Sequence, residues 1–491
     1  MSDSNLPLLI PFTFLVAALL VPLAGSARRW ASQPLAVAAC LFSLGCSVAG
    51  MARVFESGTF RHYLAGWQPP IGIEFVFDPL AAFFLVMITG VGCLVLIYSG
   101  PIAAQEIMGK RIGFYSLAML LLAGLTGMVV TGDLFNLYVF LEISALASYA
   151  LVAIGDPRAP LSAFRYLTLG TVGASLYLMG LAFLFMSTGT LNMAETAALL
   201  PYVNHQPQVV IGIVLILLGA GLKMALFPMH AWLPDAYTNA SSPATALIAP
   251  IGTKVAVYLM IRVLIISGFP AIITVISWVA AVGIIAGSIL AIAQSNLKRM
   301  LAYSSVANIG YIVLGVTLAN PLAFIGAILH ILNHALMKAV LFMSAGGIFS
   351  KLGTLDIFRL RGLPKKMPFT TAAFLIAIFS MVGIPPTGGF FSKIYLIFGA
   401  IEASAWVFVA AILISTLLNF FYFFRVVEFS FFKPYAATDP AQEQKNESLK
   451  MDEMSLSMLL STLILSAAIV AVGVYNGEIV ENFIAGAVPG F

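Results

Sequence analysis

From Pro7 to Leu23 the chain carries no charged side chain, and apolar runs of this kind return along its whole length. A run of about 20 apolar residues is long enough to cross a bilayer as a helix, which satisfies its backbone polar groups internally. The runs lack the period-two alternation of a transmembrane barrel. Fourteen spans can be drawn, at roughly 7–25, 34–52, 79–100, 112–131, 134–153, 162–187, 209–229, 243–267, 271–293, 302–318, 321–348, 370–398, 403–428 and 456–475. Of the 491 residues only 9% are charged, against about a quarter in a soluble domain. The expectation is an all-α polytopic membrane protein with one integral membrane domain over 1–491. Pro7 to Leu23 reads as the first span, not as a cleavable signal, because no Lys or Arg precedes it and Arg28 and Arg29 follow as a stop.

The loops carry little chemistry. Residues 53–78, with Trp67, Pro69 and Pro70, read as an ordered external loop, and the polar stretch 433–454 as a surface loop or interfacial segment. No Walker A sequence is present, so ATP is not expected to be the energy source on this chain. Nothing in the composition points to nucleic acid. Cys40, Cys46 and Cys93 lie in apolar segments without a C-x-x-C pair, which argues against iron–sulfur and structural zinc sites. Of the 24 Lys and Arg, fifteen lie in loops after odd-numbered spans (Arg28, Arg29, Lys110, Arg111, Arg158, Lys298, Arg299, Lys351, Arg359, Arg361, Lys365, Lys366, Lys433, Lys445, Lys450), and only Arg53 and Arg61 lie on the other side. The positive-inside rule makes the first side cytoplasmic and both termini external, in a bacterial or archaeal cell membrane.

Seven basic residues remain. Arg165, Arg262 and Arg425 sit near span ends, where they can snorkel to the interface. Lys223, Lys254, Lys338 and Lys393 sit deep in apolar runs. A charge there costs about 2.5–3.5 kcal/mol on insertion scales, so such residues mark ion or proton paths. All four are lysine, which can shed its proton in a dry site, and none is arginine, which cannot. Among the acids only Glu142 is deep, and Lys223 is its natural partner. Asp133, at the start of the same span, reads as an N-cap, and with His230 and Asp235 it forms a set of accessory candidates. In "HILNHALMK" the residues His330, His334 and Lys338 recur every fourth position, which puts them on nearly one helix face. Histidine, with a pKa near neutrality, suits a proton relay. A zinc reading lacks a general-base Glu and a third deep ligand, and haem has only His230 as a further axial candidate, so no metal and no cofactor is expected.

Two spans look broken. Span seven has Pro228 five residues after Lys223, and span twelve has Pro385, Pro386, Gly388 and Gly389 just before Lys393. Proline removes a backbone donor, so both helices should unwind within the membrane. The breaks are five spans apart, and five is odd, so consecutive five-helix units must run in opposite directions. Paired broken helices in inverted repeats are a recurrent transporter design. Spans 4–8 (112–267) and 9–13 (271–428) therefore read as inverted repeats, after three N-terminal spans (1–100) and before a loop and last span (433–491).

The motifs "TGDLFNLYVFLE", "GLKMALFPMHAWLPDAY", "SSPATALIAPIGTKVAVYLMIR", "NLKRMLAYSSVANIGY", "HILNHALMKAVLF" and "GIPPTGGFFSK" together resemble the antiporter-like subunits shared by respiratory complex I, membrane-bound hydrogenases and Mrp-type cation/proton antiporters. The resemblance covers nearly the whole chain, and "GDLFNLYVFLEISALASYALVA" is most similar to the MrpD branch of the antiporters. The chain ends soon after span fourteen, without the lateral helix of the largest paralogues, and has Lys393 where one complex I branch has Glu. The resemblance implies an ion pair between Glu142 and Lys223, a central axis of Lys254, His330, His334 and Lys338, and a terminal carrier at Lys393. It implies a proton-translocating subunit of a Na⁺(K⁺)/H⁺ antiporter, with other membrane subunits, related antiporter-like ones among them, as partners. The alternatives are a proton-pumping subunit of a redox-driven complex and, from another class, a non-conducting scaffold.

Overall fold

The computed structural model describes residues 5–107, 109–432 and 451–488. Most of the polar 433–454 stretch lies outside the described residues. The helices are α1 (Leu6–Ala27), α2 (Ser32–Ser57), α3 (Pro79–Glu106), α4 (Arg111–Val130), α5 (Leu134–Ala153), α6 (Ala159–Thr188), α7 (Met193–Val203), α8 (Pro207–Met224), α9 (Trp232–Asn239), α10 (Ser242–Ser267), α11 (Pro270–Ile292), α12 (Leu297–Thr317), α13 (Pro321–Leu352), α14 (Leu363–Lys366), α15 (Pro368–Val382), α16 (Gly388–Glu402), α17 (Trp406–Val427) and α18 (Leu456–Val474). Among the described residues, 13 helices are long and apolar enough to cross a membrane. The halves α15 and α16 together make the fourteenth crossing.

Helix starts follow from capping. Asp78, Asp133, Asn296 and Asn320 each accept a backbone N–H of the first turn of α3, α5, α12 and α13, where the unpaired donors of a helix end need an acceptor. The segment between α2 and α3 carries a two-stranded antiparallel hairpin, β1 (Phe60–Tyr63) and β2 (Glu74–Phe77), with Phe60 opposite Phe77. Its buried Glu74 accepts from Arg61 at 3.0 Å and from Asn192 at 2.8 Å, which ties the hairpin to the α6–α7 connection.

Two boundaries differ from the sequence reading. Span three runs on to Glu106, and span ten begins at Leu297 instead of near 302. The polar first turn of α12 lowers local hydropathy and reads as loop, yet the Asn296 cap and burial fix it as helix. Lys298 is therefore a buried helical residue, 5% exposed, and not a loop cation.

Both expected breaks are present. α8 stops at Met224, Ala225 takes a left-handed conformation (φ 59°), and α9 resumes at Trp232. α15 stops at Val382, Gly383 turns at φ 91°, and α16 begins at Gly388. The second break is packed without slack: a Cβ on Gly389 would lie 1.9 Å from the Ser380 carbonyl oxygen, and one on Gly473 of α18 would lie 1.9 Å from that of Pro386. Gly389→Ala is thus expected to force the two half-helices apart at a cost of roughly 1–3 kcal/mol. A lowered melting temperature of the purified complex checks this, and an unchanged one contradicts it.

Candidate functional site

α13, the longest helix, runs through the interior against α3, α10, α12, α15, α16 and α18. Its first-turn proline and Asn320 cap start it, and small and apolar residues bury it on nearly all sides. This placement puts His330, His334 and Lys338 wholly inside protein.

The row is built from one end to the other as follows. On α8, in its last turn before the break, the Lys223 ammonium donates to Glu142 Oε1 of α5 at 3.3 Å and to the Tyr149 hydroxyl at 3.0 Å. Tyr149 lies two helical turns beyond Glu142, hence on the same face. The open end of α8 is capped from across the break, where Trp232 Nε1 donates to the Leu222 carbonyl at 2.8 Å. Trp232 is held flat against Tyr166, ring centroids 3.8 Å apart. Beside Lys223 lies a cavity of about 30 Å³, lined by Ser144, Ser148, Tyr237 and Thr253 among others. That is room for water. The Tyr237 and Thr253 hydroxyls make no well-formed hydrogen bond among the described residues, and water in the cavity would satisfy them.

Thr253 leads to Lys254 on α10. Its amine is fully buried and donates to the Ala249 carbonyl of its own helix at 2.7 Å. It lies within electrostatic reach of His330, His334 and Lys338. On α13, Lys338 donates to the Leu301 carbonyl at 2.7 Å and to Ser304 Oγ at 2.5 Å, both on α12. His330 is held at both nitrogens, with Nε2 2.9 Å from Asn308 Oδ1 and Nδ1 2.9 Å from Ser392 Oγ. Asn308 spends its amide N–H on the Ser304 carbonyl. Its Oδ1 must therefore accept from His330 Nε2–H, while Nδ1 faces the Ser392 hydroxyl, which also lies 3.2 Å from the Gly389 carbonyl. His334, one turn along and stacked on His330 at 6.2 Å, is the opposite case. It is buried, and neither of its nitrogens has a hydrogen-bond partner among the described residues.

At the far end Lys393, on α16, reaches back across the second break. Its ammonium donates to the Met381 and Val382 carbonyls at 2.8 and 3.1 Å, the freed acceptors at the end of α15. Gly383 leaves room for this, since a Cβ there would crowd the lysine Cδ at 3.3 Å. The two breaks thus cap their open carbonyls differently, with an indole in one and the lysine itself in the other. That explains why Lys223 precedes its break and is free to pair with Glu142, whereas Lys393 follows its own. Lys393 also lies 5.4 Å over the Tyr311 ring, whose centroid is 5.6 Å from that of His330.

The accessory candidates lie outside the row. Asp133 caps α5 through Asn136 N–H at 2.7 Å. Asp235 is clamped between Arg165 at 2.8 Å and Arg299 at 3.0 Å, joining α9 to α6 and α12 near the surface. His230 stacks on Phe227 in the first break and bonds none of the buried lysines. Pro228 lies within the first break, Pro385 and Pro386 within the second, and Gly388 and Gly389 begin α16. Ser304, Asn308, Ser392, Tyr149, Tyr311 and Trp232 were not legible as site residues, although Ser304 and Asn308 are spaced by four and Ser392 adjoins Lys393. Of the near-end arginines, Arg262 pairs with Asp78 at 2.7 Å and Arg425 caps the Ile292 carbonyl at 2.8 Å, so both are anchored by protein.

Residues 131–419 match the family described as "NADH:quinone oxidoreductase/Mrp antiporter, TM", and residues 68–100 match "NADH-Ubiquinone oxidoreductase (complex I), chain 5 N-terminus". The chain belongs to the NADH:quinone oxidoreductase/Mrp antiporter family. It is 44% identical to the N subunit of the NADH-quinone oxidoreductase of Desulforudis audaxviator, with 99% of each chain covered. It is 31% identical to a Na(+)/H(+) antiporter subunit (the one lettered D) of Alkalihalophilus pseudofirmus, over 98% of this chain and 96% of that one. Among solved structures, a chain of the membrane-bound sulfane sulfur reductase, an archaeal respiratory membrane complex, superposes with a TM-score of 0.90 at 30% identity, covering 99% and 97%. Within this family the chain is an antiporter-like, proton-translocating membrane subunit, built to work beside other membrane subunits. Every element of the row falls inside the matched region 131–419.

Proposed function

We propose that protons cross this subunit along Glu142 and Lys223, then Lys254, His334, Lys338 and His330, to Lys393. The observation that carries the reading is His334. A buried histidine kept for structure is held by hydrogen bonds, as His330 is, because an unmet polar group in a dry interior costs about 1–3 kcal/mol. His334 has none among the described residues and lies between buried amines. Bound water, and an imidazole that takes a proton from one side and gives it from the other, meet that cost. Among the described residues only Lys223 of the four deep lysines has a carboxylate partner; the other three rest on carbonyls or a hydroxyl. That arrangement suits amines that load and unload better than fixed ion pairs.

Glu142 supports the multisubunit reading. It sits mid-helix on α5, its side chain 27% exposed, beside the exposed Phe135, Val139 and Leu146. A carboxylate facing hydrocarbon at that depth is costly, so a neighbouring subunit covers this flank. The complex is redox-driven in our reading, supported by the 44% identity to a quinone oxidoreductase subunit and the fold shared with a respiratory reductase. Cation/proton antiport is the second reading, supported by the Na(+)/H(+) antiporter relative and by the span-five motif. Closed vesicles holding the purified complex separate them. Proton uptake that requires an electron donor sustains the first, and Na⁺- or K⁺-driven proton movement without a donor sustains the second. Uptake under neither condition contradicts proton translocation.

We place the basic loops, 350–367 among them, on the cytoplasmic face of a bacterial or archaeal membrane, a reading supported by the asymmetry of Lys and Arg between the loops. Ser350→Cys is expected to react with an impermeant thiol reagent from that face alone, and reaction from the outer face alone contradicts the placement.

A further inference from the structure

The row needs a connection to water at the end of the bundle that carries the basic loops. There α3 ends, and α10 and α12 begin. Glu106, the last residue of α3, turns its carboxylate onto the first turn of α10, where Oε2 accepts the Ser242 backbone N–H at 2.6 Å. Its other oxygen, Oε1, is buried and has no partner among the described residues. Lys298, in the first turn of α12, is 5% exposed, and its ammonium makes one hydrogen bond, to the Ala240 carbonyl at 3.2 Å. Two of its three donors are left over. The carboxylates of Glu106 and Asp156 lie within its electrostatic reach, and among the described residues neither forms a direct salt bridge with it. Between them, the side-chain hydroxyls of Ser241 and Ser242 are buried and have no partner among the described residues.

Such a density of unmet polar atoms at one place cannot be dry. Each would cost about 1–3 kcal/mol, and water bridging them removes the cost. The groups are also graded from outside inward: Asp156 is exposed, Glu106 is half-buried and Lys298 is buried. Beyond Lys298 the path meets the row at once, because Leu301, whose carbonyl holds the Lys338 ammonium, is one turn further along α12.

We propose that Glu106 and Lys298 form the proton port between the basic-loop face and Lys338, with Glu106 exchanging protons with bulk water and Lys298 passing them inward through bridging water. In the step, the Glu106 carboxyl gives its proton to a bridging water. That water's proton goes to the neutral amine of Lys298, and Glu106 is reloaded from the bulk. This inference rests on the relay proposed above, and the test separates the two.

The variants Glu106→Gln and Lys298→Met are made in the full complex, with Lys338→Met as the relay control, and initial proton flux is read in vesicles. Gln retains an oxygen to accept the Ser242 N–H, so a mere helix cap survives it and a proton acceptor does not. Flux should fall on the order of tenfold or more in Glu106→Gln and Lys298→Met, with Glu106→Asp retaining part of it. Normal flux in both, with Lys338→Met inactive, overturns the port and leaves the relay standing. Normal flux in all three overturns the relay as well. A second readout is independent of turnover. With Cys40, Cys46 and Cys93 replaced, Ser242→Cys should react with a small charged thiol reagent added on the basic-loop side, although residue 242 is wholly buried. No reaction there would overturn a hydrated port.

Discussion

Lys393→Arg is expected to abolish most proton transport while the complex assembles at normal levels. If the lysine only supplied positive charge to the Met381 and Val382 carbonyls, arginine would serve, since its guanidinium donates to the same acceptors. If the amine must lose its proton to pass it on, arginine fails, because it stays protonated at any accessible pH. The loss should be on the order of a hundredfold, the range of a missing acid–base group. Bulk is the competing explanation, because the lysine chain packs directly against Gly383. Lys393→Gln answers it: glutamine is smaller, can still donate to a carbonyl, and cannot titrate. Both variants should be inactive. Robust transport by Lys393→Arg would mean that the residue balances charge, and the relay would have to end elsewhere.

The second large effect is at the other end. Glu142→Ala should bring transport down by about a hundredfold as well, for two linked reasons. Among the described residues, it removes the one carboxylate bonded to a deep lysine and leaves the Lys223 ammonium with the Tyr149 hydroxyl alone. A buried charge stripped of its partner is strongly disfavoured. Glu142→Asp keeps the charge but falls about a methylene short of the 3.3 Å contact, so it should retain partial activity. Because the Glu142 flank is read as an interface, assembly has to be checked by recovery of the whole complex. Normal proton flux in a fully assembled Glu142→Ala complex would exclude this pair from the path.

What could be read from sequence was what periodicity and hydropathy encode. The four lysines stood out because an apolar run makes a charge costly, and the four-residue spacing of His330, His334 and Lys338 put them on one face. The proline and glycine clusters marked both breaks. What could not be read is which helices face each other. His330 and His334 look alike in sequence, yet one is held by Asn308 and Ser392 and the other has no hydrogen-bond partner among the described residues, and only the packing of α12 and α16 on α13 decides that. Asp235 looked available for proton transfer beside the first break, but two arginines from distant helices hold it. Lys298 was lost to the loop because a charged first turn lowers hydropathy even where the backbone is helical and buried. The exposure of Glu142 belongs to the tertiary surface, which a linear pattern does not contain.

The central claim is that protons pass between the two halves of this chain, and Lys254 is where they must. It adjoins Thr253, which lines the Lys223 cavity, it lies within electrostatic reach of the histidines of α13, and its amine donates to a carbonyl of its own helix. Lys254→Met fills nearly the same space with an apolar chain, and a buried charge is commonly replaced that way without loss of stability. The measurement is the initial proton flux per assembled complex in sealed vesicles, driven as the wild type is driven. The relay predicts that flux in Lys254→Met falls on the order of tenfold or more. Wild-type flux through an intact Lys254→Met complex would show that protons do not cross between the halves by this row.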